Sequence, residues 1–309
     1  MTVRIVTDST SDISPRVAEE LGITVVPVYV RFGEKVYRDG VDISQDEFYQ
    51  KLAQSPVHAS TSQPSPGDFA DVYSRLSKET EEVVSIHLSS KVSGTYDSAL
   101  LGRELAQTKC HIEVVDSLSV SMGLGLITMA GARLAKAGES LQEVMNEIGQ
   151  AVSNTRIFGV LDTLKYLLMG GRIGKAKALL GTLLNVKPML AMRNGELVPT
   201  GLARTRVKGI ERLFDFVKNA FNVQELAIVY STTPDEASPL REWLAAILSD
   251  EQIHLARLGP ALGVHGGPGT LLLAFREKIS SIKQELTEAD LAKKTFSLPS
   301  LRIPKFRLP

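Results

Sequence analysis

The sequence predicts an α/β protein: a mostly parallel sheet with helices on both faces, followed by a second α/β domain with antiparallel strands. Three observations predict it. Short strand-like runs alternate with helical patterns from residue 3 to about residue 154, the order that yields parallel strands covered by helices. Asn194-Gly195 stands between two strand-like runs, the strongest short hairpin signal, so antiparallel pairing is expected there. The chain has 309 residues, 43% of them hydrophobic, enough for two domains. The expected division is an N-terminal domain at 1–155, a C-terminal domain at 156–288 and a Pro-rich basic tail at 289–309.

Taken in order, residues 3–6 form a short apolar run and read as a buried strand. SDISPRVAEELG reads as a helix: Ser14 caps it, Pro15 suits the first turn, and Gly22 ends it. ITVVPVYVRF reads as one strand. DISQDEFYQKLAQS, capped by Ser44, and SPGDFADVYSRLSKE read as helices. VVSIHL is a strand, SSKVSGTYDSA leads into a helix running towards Gln107, and HIEVVDS is a fourth strand. Two long helical patterns follow at 122–137 and 139–154. Gly170-Gly171 ends a short helix. VKPMLAMRNGELVPTGLAR carries the hairpin, and a helix at 206–220 follows it. ELAIVYS, IHLARLG and TLLLAFRE read as strands, with DEASPLREWLAAIL a helix and GVHGGPGT a glycine-rich loop among them.

Composition excludes several classes. The 35 basic and 35 acidic side chains balance, which leaves no global footprint for nucleic acid. The single cysteine, Cys110, excludes an intramolecular disulfide and a cysteine-rich zinc site, and is expected as a small buried residue at a helix end. His58, His87, His111, His254 and His265 show no HExxH or related spacing, so no metal is expected. No cofactor fingerprint is present. MTVRIVTDST lacks the apolar core of a signal peptide, and no apolar run reaches membrane-spanning length; a soluble cytoplasmic protein is expected. Within the tail, LAKKTFSLPSLRIPKFRLP carries five basic residues, no acid and three prolines in its final eleven positions. Those prolines forbid a regular helix or a central strand. The tail is read as disordered, or as docked on its own domain or a second subunit; a transient membrane contact is the weaker reading.

Three hydroxyl-rich stretches precede helices: TDSTSD (7–12), ASTSQPSPGDF (59–69) and SSKVSGTYDSA (89–99). Each reads equally as turn chemistry with helix capping. Each also suits a ligand, because helix N-termini carry unpaired N–H groups and a partial positive charge that favour a carboxylate or phosphate. Ser93-Gly94-Thr95 offers hydroxyls beside a glycine that lets an anion approach the backbone. LKYLLMGGRIGKAKALLG (164–181) places Arg172 just past a helix stop, and His265 stands among glycines in GVHGGPGT. A Ser93, His265 and Asp8 set can be assembled on paper, but there is no GxSxG elbow, so no catalytic residue is assigned. The residues themselves lead to an anion-binding α/β protein and no further.

Together these motifs resemble the DegV family of bacterial fatty-acid-binding proteins. TDSTSD, TSQPSPGDF, SSKVSGTYDSA, LKYLLMGGRIGKAKALLG, VKPMLAM with NGEL, and VHGGPGT occur in family order across residues 3–280. The resemblance implies a two-domain protein, not itself an enzyme, that holds a long-chain fatty acid between its domains. It implies that Thr61 and Ser93 hold the carboxylate with the backbone amides of Ser62 and Gly94, that His265 joins this network, and that Arg172 and Thr95 support it. It further implies a separate ATP-dependent fatty acid kinase as partner, an acyl phosphate product for phospholipid synthesis, and a kinase-facing surface at Arg204 and Arg206. The apolar patterns at 121–138 and 176–190 are expected to line the acyl tunnel or to be ordinary core. Two other readings compete: an enzyme acting on a small carboxylated or phosphorylated metabolite, and a lipid-responsive regulatory module.

Overall fold

The computed structural model describes residues 3–179, 181, 186–220 and 222–278. The expected tail at 289–309 lies outside the described residues.

The chain opens with β1 (Arg4–Asp8), a one-turn helix at Ser9–Ser11, α1 (Pro15–Leu21) and β2 (Ile23–Val26). Ser14 Oγ accepts the Val17 N–H, and Gly22 ends α1 at φ +66°, where a side chain would be strained. The apolar run after Gly22 is not one strand. Pro27 has no N–H to pair, and the chain breaks there into β2 and a separate β3 (Tyr29–Phe32) that joins another sheet. A hairpin leads to β4 (Lys35–Arg38); α2 (Gln45–Gln54) then starts in a full capping box between Ser44 and Glu47. The second hydroxyl-rich stretch, 59–69, opens with a short strand: β5 (Ser60–Ser62) pairs with β3, Thr61 opposite Val30. α3 (Pro66–Leu76), capped by Ser65, leads to β6 (Glu82–His87), α4 (Thr95–Leu105) and β7 (His111–Asp116).

Strands β2-β1-β6-β7 form the parallel sheet, and β4-β3-β5 a small antiparallel one. Cys110 is half-buried in the turn before β7, not at a helix end as expected. Next come α5 (Ser121–Ala137) and α6 (Leu141–Asn154), and then β8 (Thr155–Val160), which sequence reading did not separate out. α7 (Lys165–Met169) precedes the hairpin of β9 (Lys187–Arg193) and β10 (Glu196–Ala203). That hairpin turns on Asn194 and Gly195 at φ +50° and +80°, as a tight turn of this hand demands. The remaining elements are α8 (Arg206–Lys218), β11 (Val223–Tyr230), α9 (Pro234–Leu244), β12 (Ile253–Arg257), α10 (Pro260–Gly266) and β13 (Leu271–Glu277). The second large sheet runs β10-β9-β8-β13-β11-β12, antiparallel except for β11 with β12.

α5 explains how the two large sheets meet. It packs on β1 from one side and on β8, β11 and β13 from the other. One core cluster therefore joins Ile5, Val84 and Ile86 of the parallel sheet to Leu124 and Ile127 of α5 and to Ile157, Val229 and Ala274 of the six-stranded sheet. Close approach requires Gly125: a Cβ there would lie 2.6 Å from the Ser11 carbonyl oxygen. Of the two expectations for residues 121–138, ordinary core is the one their packing supports. α5 is buried from both sides because it is the layer shared by two sheets, and its side chains are spent on that core.

Candidate functional site

The small sheet, the N-terminus of α4, α7 and α10 surround a cavity of about 120 Å³ that opens to solvent. Its polar lining gathers in one place. β5 brings Thr61 and Ser62, with Gln63 just after it; the loop into α4 brings Ser93, and α4 itself Thr95; α10 brings His265; the segment after α7 brings Arg172. The rest of the wall is mainly apolar, with Leu88, Val120, Ile157, Leu190, Leu258 and Leu272 among its residues.

Local chemistry holds each group. The loop before α4 is pinned at its start: Ser89 Oγ donates to the Gly195 carbonyl at 2.7 Å, and Ser90 Oγ donates to Asp116 at 2.5 Å. Ser93 Oγ accepts the Thr95 N–H at 3.3 Å and lies 2.9 Å from Thr95 Oγ1, so these hydroxyls share one network at the start of α4. Gly94 packs against Gln63, one of the lining residues. A Cβ there would lie 2.6 Å from Gln63 Nε2, so the glycine leaves room for the Gln63 side chain. Arg172 is exposed at the mouth; its Nε donates to the Val92 carbonyl at 3.3 Å and an Nη to the Gly170 carbonyl at 3.0 Å. A second hollow adjoins that mouth, lined by Lys91, Arg172, Lys175 and Glu196.

His265 is the best-defined contact. The glycine-rich loop expected around it is instead α10, with His265 in its last turn. Its Nε2 lies 3.0 Å from Thr61 Oγ1. Burial, with Arg172 and then His58 nearby, pushes its pKa down to about 4, so the ring is neutral at physiological pH. Nδ1 is buried without a hydrogen-bond partner among the described residues, against Gly170. A neutral ring with its proton on Nε2 donates to Thr61 and leaves the Thr61 hydroxyl proton for a ligand. This contact yields a steric test. At Gly170 φ is −79°, so alanine brings no backbone strain, but its Cβ would stand 2.2 Å from His265 Nδ1. Gly170→Ala is expected to displace His265 and weaken ligand binding on the order of tenfold, the loss of about one good hydrogen bond, with little change in melting temperature. Titrating the ligand against both proteins checks it.

Other motifs lie elsewhere. Asp8 is fully buried and bonds His87 Nδ1 at 3.0 Å, and His87 Nε2 meets Ser85 Oγ at 2.7 Å. Asp8 is thus committed to His87 and does not orient His265. Thr10, whose N–H and hydroxyl donate to Asp8, reaches the cavity wall. Sequence reading missed Thr10 and Gln63 as lining residues, although both stand inside motifs it singled out. Of 176–190, Leu190 is among the lining residues; 180 and 182–185 lie outside the described residues. Arg204 is exposed, whereas Arg206 turns inward and pairs with Glu236 at 2.6 Å, their side chains 11% and 8% exposed. Among the described residues no cluster of metal-ligating side chains occurs, and no helix is long and apolar enough to cross a membrane.

Comparison with known proteins places this geometry in context. The DegV family of uncharacterised proteins matches residues 2–278. A DegV domain-containing protein of Caldanaerobacter subterraneus subsp. tengcongensis is 36% identical over 282 residues, which cover 89% of this chain and 99% of that protein. Among solved structures, a DegV-family protein of Thermus thermophilus described for its fatty-acid binding is 35% identical with a TM-score of 0.83, covering 89% of this chain and 100% of that one. A stearic-acid-binding protein of Eubacterium ventriosum is 29% identical with a TM-score of 0.80, covering 89% of this chain and 98% of that one.

Proposed function

This chain belongs to the DegV family, and on that premise we propose that it binds a long-chain fatty acid in the cavity and presents the carboxylate to a separate ATP-dependent fatty acid kinase. The kinase would make the acyl phosphate; this chain is the carrier. One observation carries the reading: a single cavity joins a cluster of uncharged donors to mainly apolar walls. Each buried CH₂ contributes about 0.8 kcal/mol. A chain of about sixteen carbons gains on the order of 10 kcal/mol before ordering costs. The acyl chain supplies affinity; Thr61, Ser93 and His265, with the amides at Ser62 and Gly94, satisfy a carboxylate that is costly to bury unpaired. In this reading the chain divides near residue 155, and both parts line the cavity.

The crystallised relatives support the lipid; the kinase rests on the family resemblance and on the exposed cations. Arg172, Lys91 and Lys175 stand at the mouth, and Arg204 faces solvent. Native mass spectrometry of the purified protein, followed by denaturation and organic extraction, tests the first step. A stoichiometric fatty acid released only on denaturation is expected; a protein that is empty and takes up no added fatty acid overturns the reading. For the second step, Arg204→Ala is expected to keep lipid occupancy and to lower kinase-coupled acyl phosphate formation severalfold, as loss of a rim charge slows encounter. Unchanged turnover would remove Arg204 from the partner surface.

A further inference from the structure

α10 follows a strand of the six-stranded sheet and packs on α7, and it also packs on α2, β3, β5 and the one-turn helix at Ser9–Ser11. Its last turn carries His265. Its first turn rests on two carboxylates supplied from the other end of the sequence. Asp12 Oδ1 accepts the Gly259 N–H at 2.9 Å, and Oδ2 accepts the Ser121 hydroxyl at 2.5 Å. Asp39 Oδ2 accepts the Ser9 hydroxyl at 3.0 Å and the Ala261 N–H at 3.3 Å. Gly259 lies directly over both: a Cβ there would stand 2.9 Å from Asp12 Oδ1 and 3.6 Å from Asp39 Oδ2. No cation pairs with either carboxylate in the structure described. The first turn of α10 is therefore the cover that keeps water from two acidic groups.

We propose that Asp12 and Asp39 are positioning residues: a proton-sensitive clamp on the first turn of α10 that holds His265 at the cavity and lets the helix lift when the clamp loses its protons. The inference rests on the fatty-acid reading for what passes when the helix lifts, but not for the clamp itself. Burial raises the Asp12 pKa to about 8, with the charges of Asp39 and Asp8 adding to it, and the Asp39 pKa to about 7, with the charge of Asp8 adding to it. The sign follows from linkage. The closed state binds these protons more tightly than an open, hydrated state, whose carboxyls titrate near the ordinary value of about 4. Stability of the closed state is then complete below about pH 4, falls as pH rises, and is lost once pH has risen through 7 to 8.

The other charged groups around α10 do not supply this response. Tyr49, whose hydroxyl donates to the Leu258 carbonyl at 3.1 Å, has its pKa pushed well above the usual phenol value by burial. Arg257 pairs with Asp46 and stacks 5.6 Å from the Tyr49 ring centre; Arg38 pairs with Asp42 at 2.9 Å. At the far end, burial lowers both His265 and His58, Arg172 donates to the Val92 and Gly170 carbonyls, and Lys165 of α7 stands 6.0 Å from the Tyr166 ring centre. Asp8 is bonded to His87 beneath the one-turn helix.

The test follows release of cis-parinaric acid from the full chain by stopped-flow fluorescence from about pH 6 to about pH 9, with release accelerating on the order of tenfold in the natural protein. Asp12→Asn with Asp39→Asn, which keeps acceptors but not the charge, is expected to release slowly at every pH. Ser121→Ala removes a hydrogen bond that favours ionised Asp12, so its profile moves to higher pH. Hydrogen exchange of the amides at 259–266, corrected for intrinsic rates, should loosen with pH in the natural protein and not in the double variant. A flat natural profile, or a double variant that keeps the slope, overturns the clamp. Failure of the probe to bind at any pH counts against the fatty-acid reading; the exchange measurement then decides the clamp alone, and unchanged protection overturns it.

Discussion

Thr61→Val combined with Ser93→Ala is expected to weaken fatty-acid binding by on the order of a hundredfold or more, because each hydrogen bond to a charged group contributes about 1.5–3 kcal/mol and each 1.4 kcal/mol is tenfold. The two hydroxyls come from separate elements, β5 and the loop before α4, so their removal strips both sides of the carboxylate cluster. Folding should suffer far less. Valine keeps the volume of Thr61, and Ser93 contributes one capping bond to the Thr95 N–H, worth about 1 kcal/mol. Isothermal titration with a long-chain fatty acid, beside thermal melting, separates the two effects. Unaltered affinity with an unaltered melt would remove both hydroxyls from the carboxylate site.

The second large effect falls on stability and concerns the two arginines of LARTRVKG. Arg206→Ala should cost about 3–5 kcal/mol, because it leaves the Glu236 carboxylate buried without its partner. The pair is bidentate: Arg206 Nε donates to Glu236 at 2.9 Å and an Nη at 2.6 Å. Arg204→Ala, on an exposed side chain, should stay within about 0.5 kcal/mol. Chemical denaturation of both variants checks the contrast. A mild Arg206→Ala would mean that Glu236 finds water or another donor. The contrast also governs partner assays: lost kinase coupling in an Arg206 variant would report misfolding, whereas the same loss in an Arg204 variant would report a surface contact.

Sequence reading succeeded where the cause is local. Ser14, Ser44 and Gly22 bound their helices as read, because capping depends on residues within one turn of each other. Asn194-Gly195 marked its hairpin for the same reason. It erred where a neighbour in space overrode the local pattern. The run ITVVPVYVRF is uniformly strand-like, and only the assembled fold sends its halves to different sheets across Pro27. For residues 121–138 the pattern left two readings open, a ligand wall or ordinary core, and only the packing between two sheets favours the second. The glycines around His265 suggested a loop, yet the first half of that segment, 263–266, belongs to α10, with Gly263 in place so that Phe48 and Tyr49 can approach.

What the sequence determined by itself was the alternation of elements, their caps, the hairpin and the residue types of a site that favours an anion. These depend on interactions along a few residues of chain. The tertiary structure alone decided which groups meet. Thr61 and His265 are 204 positions apart, and Asp12 and Gly259 are 247 apart. It also decided that Arg206 faces Glu236 while Arg204 faces solvent, although the two stand two residues apart. The physical reason is that hydrogen-bond partners, desolvation and the resulting pKa values are properties of a packed neighbourhood, and long-range pairings create that neighbourhood.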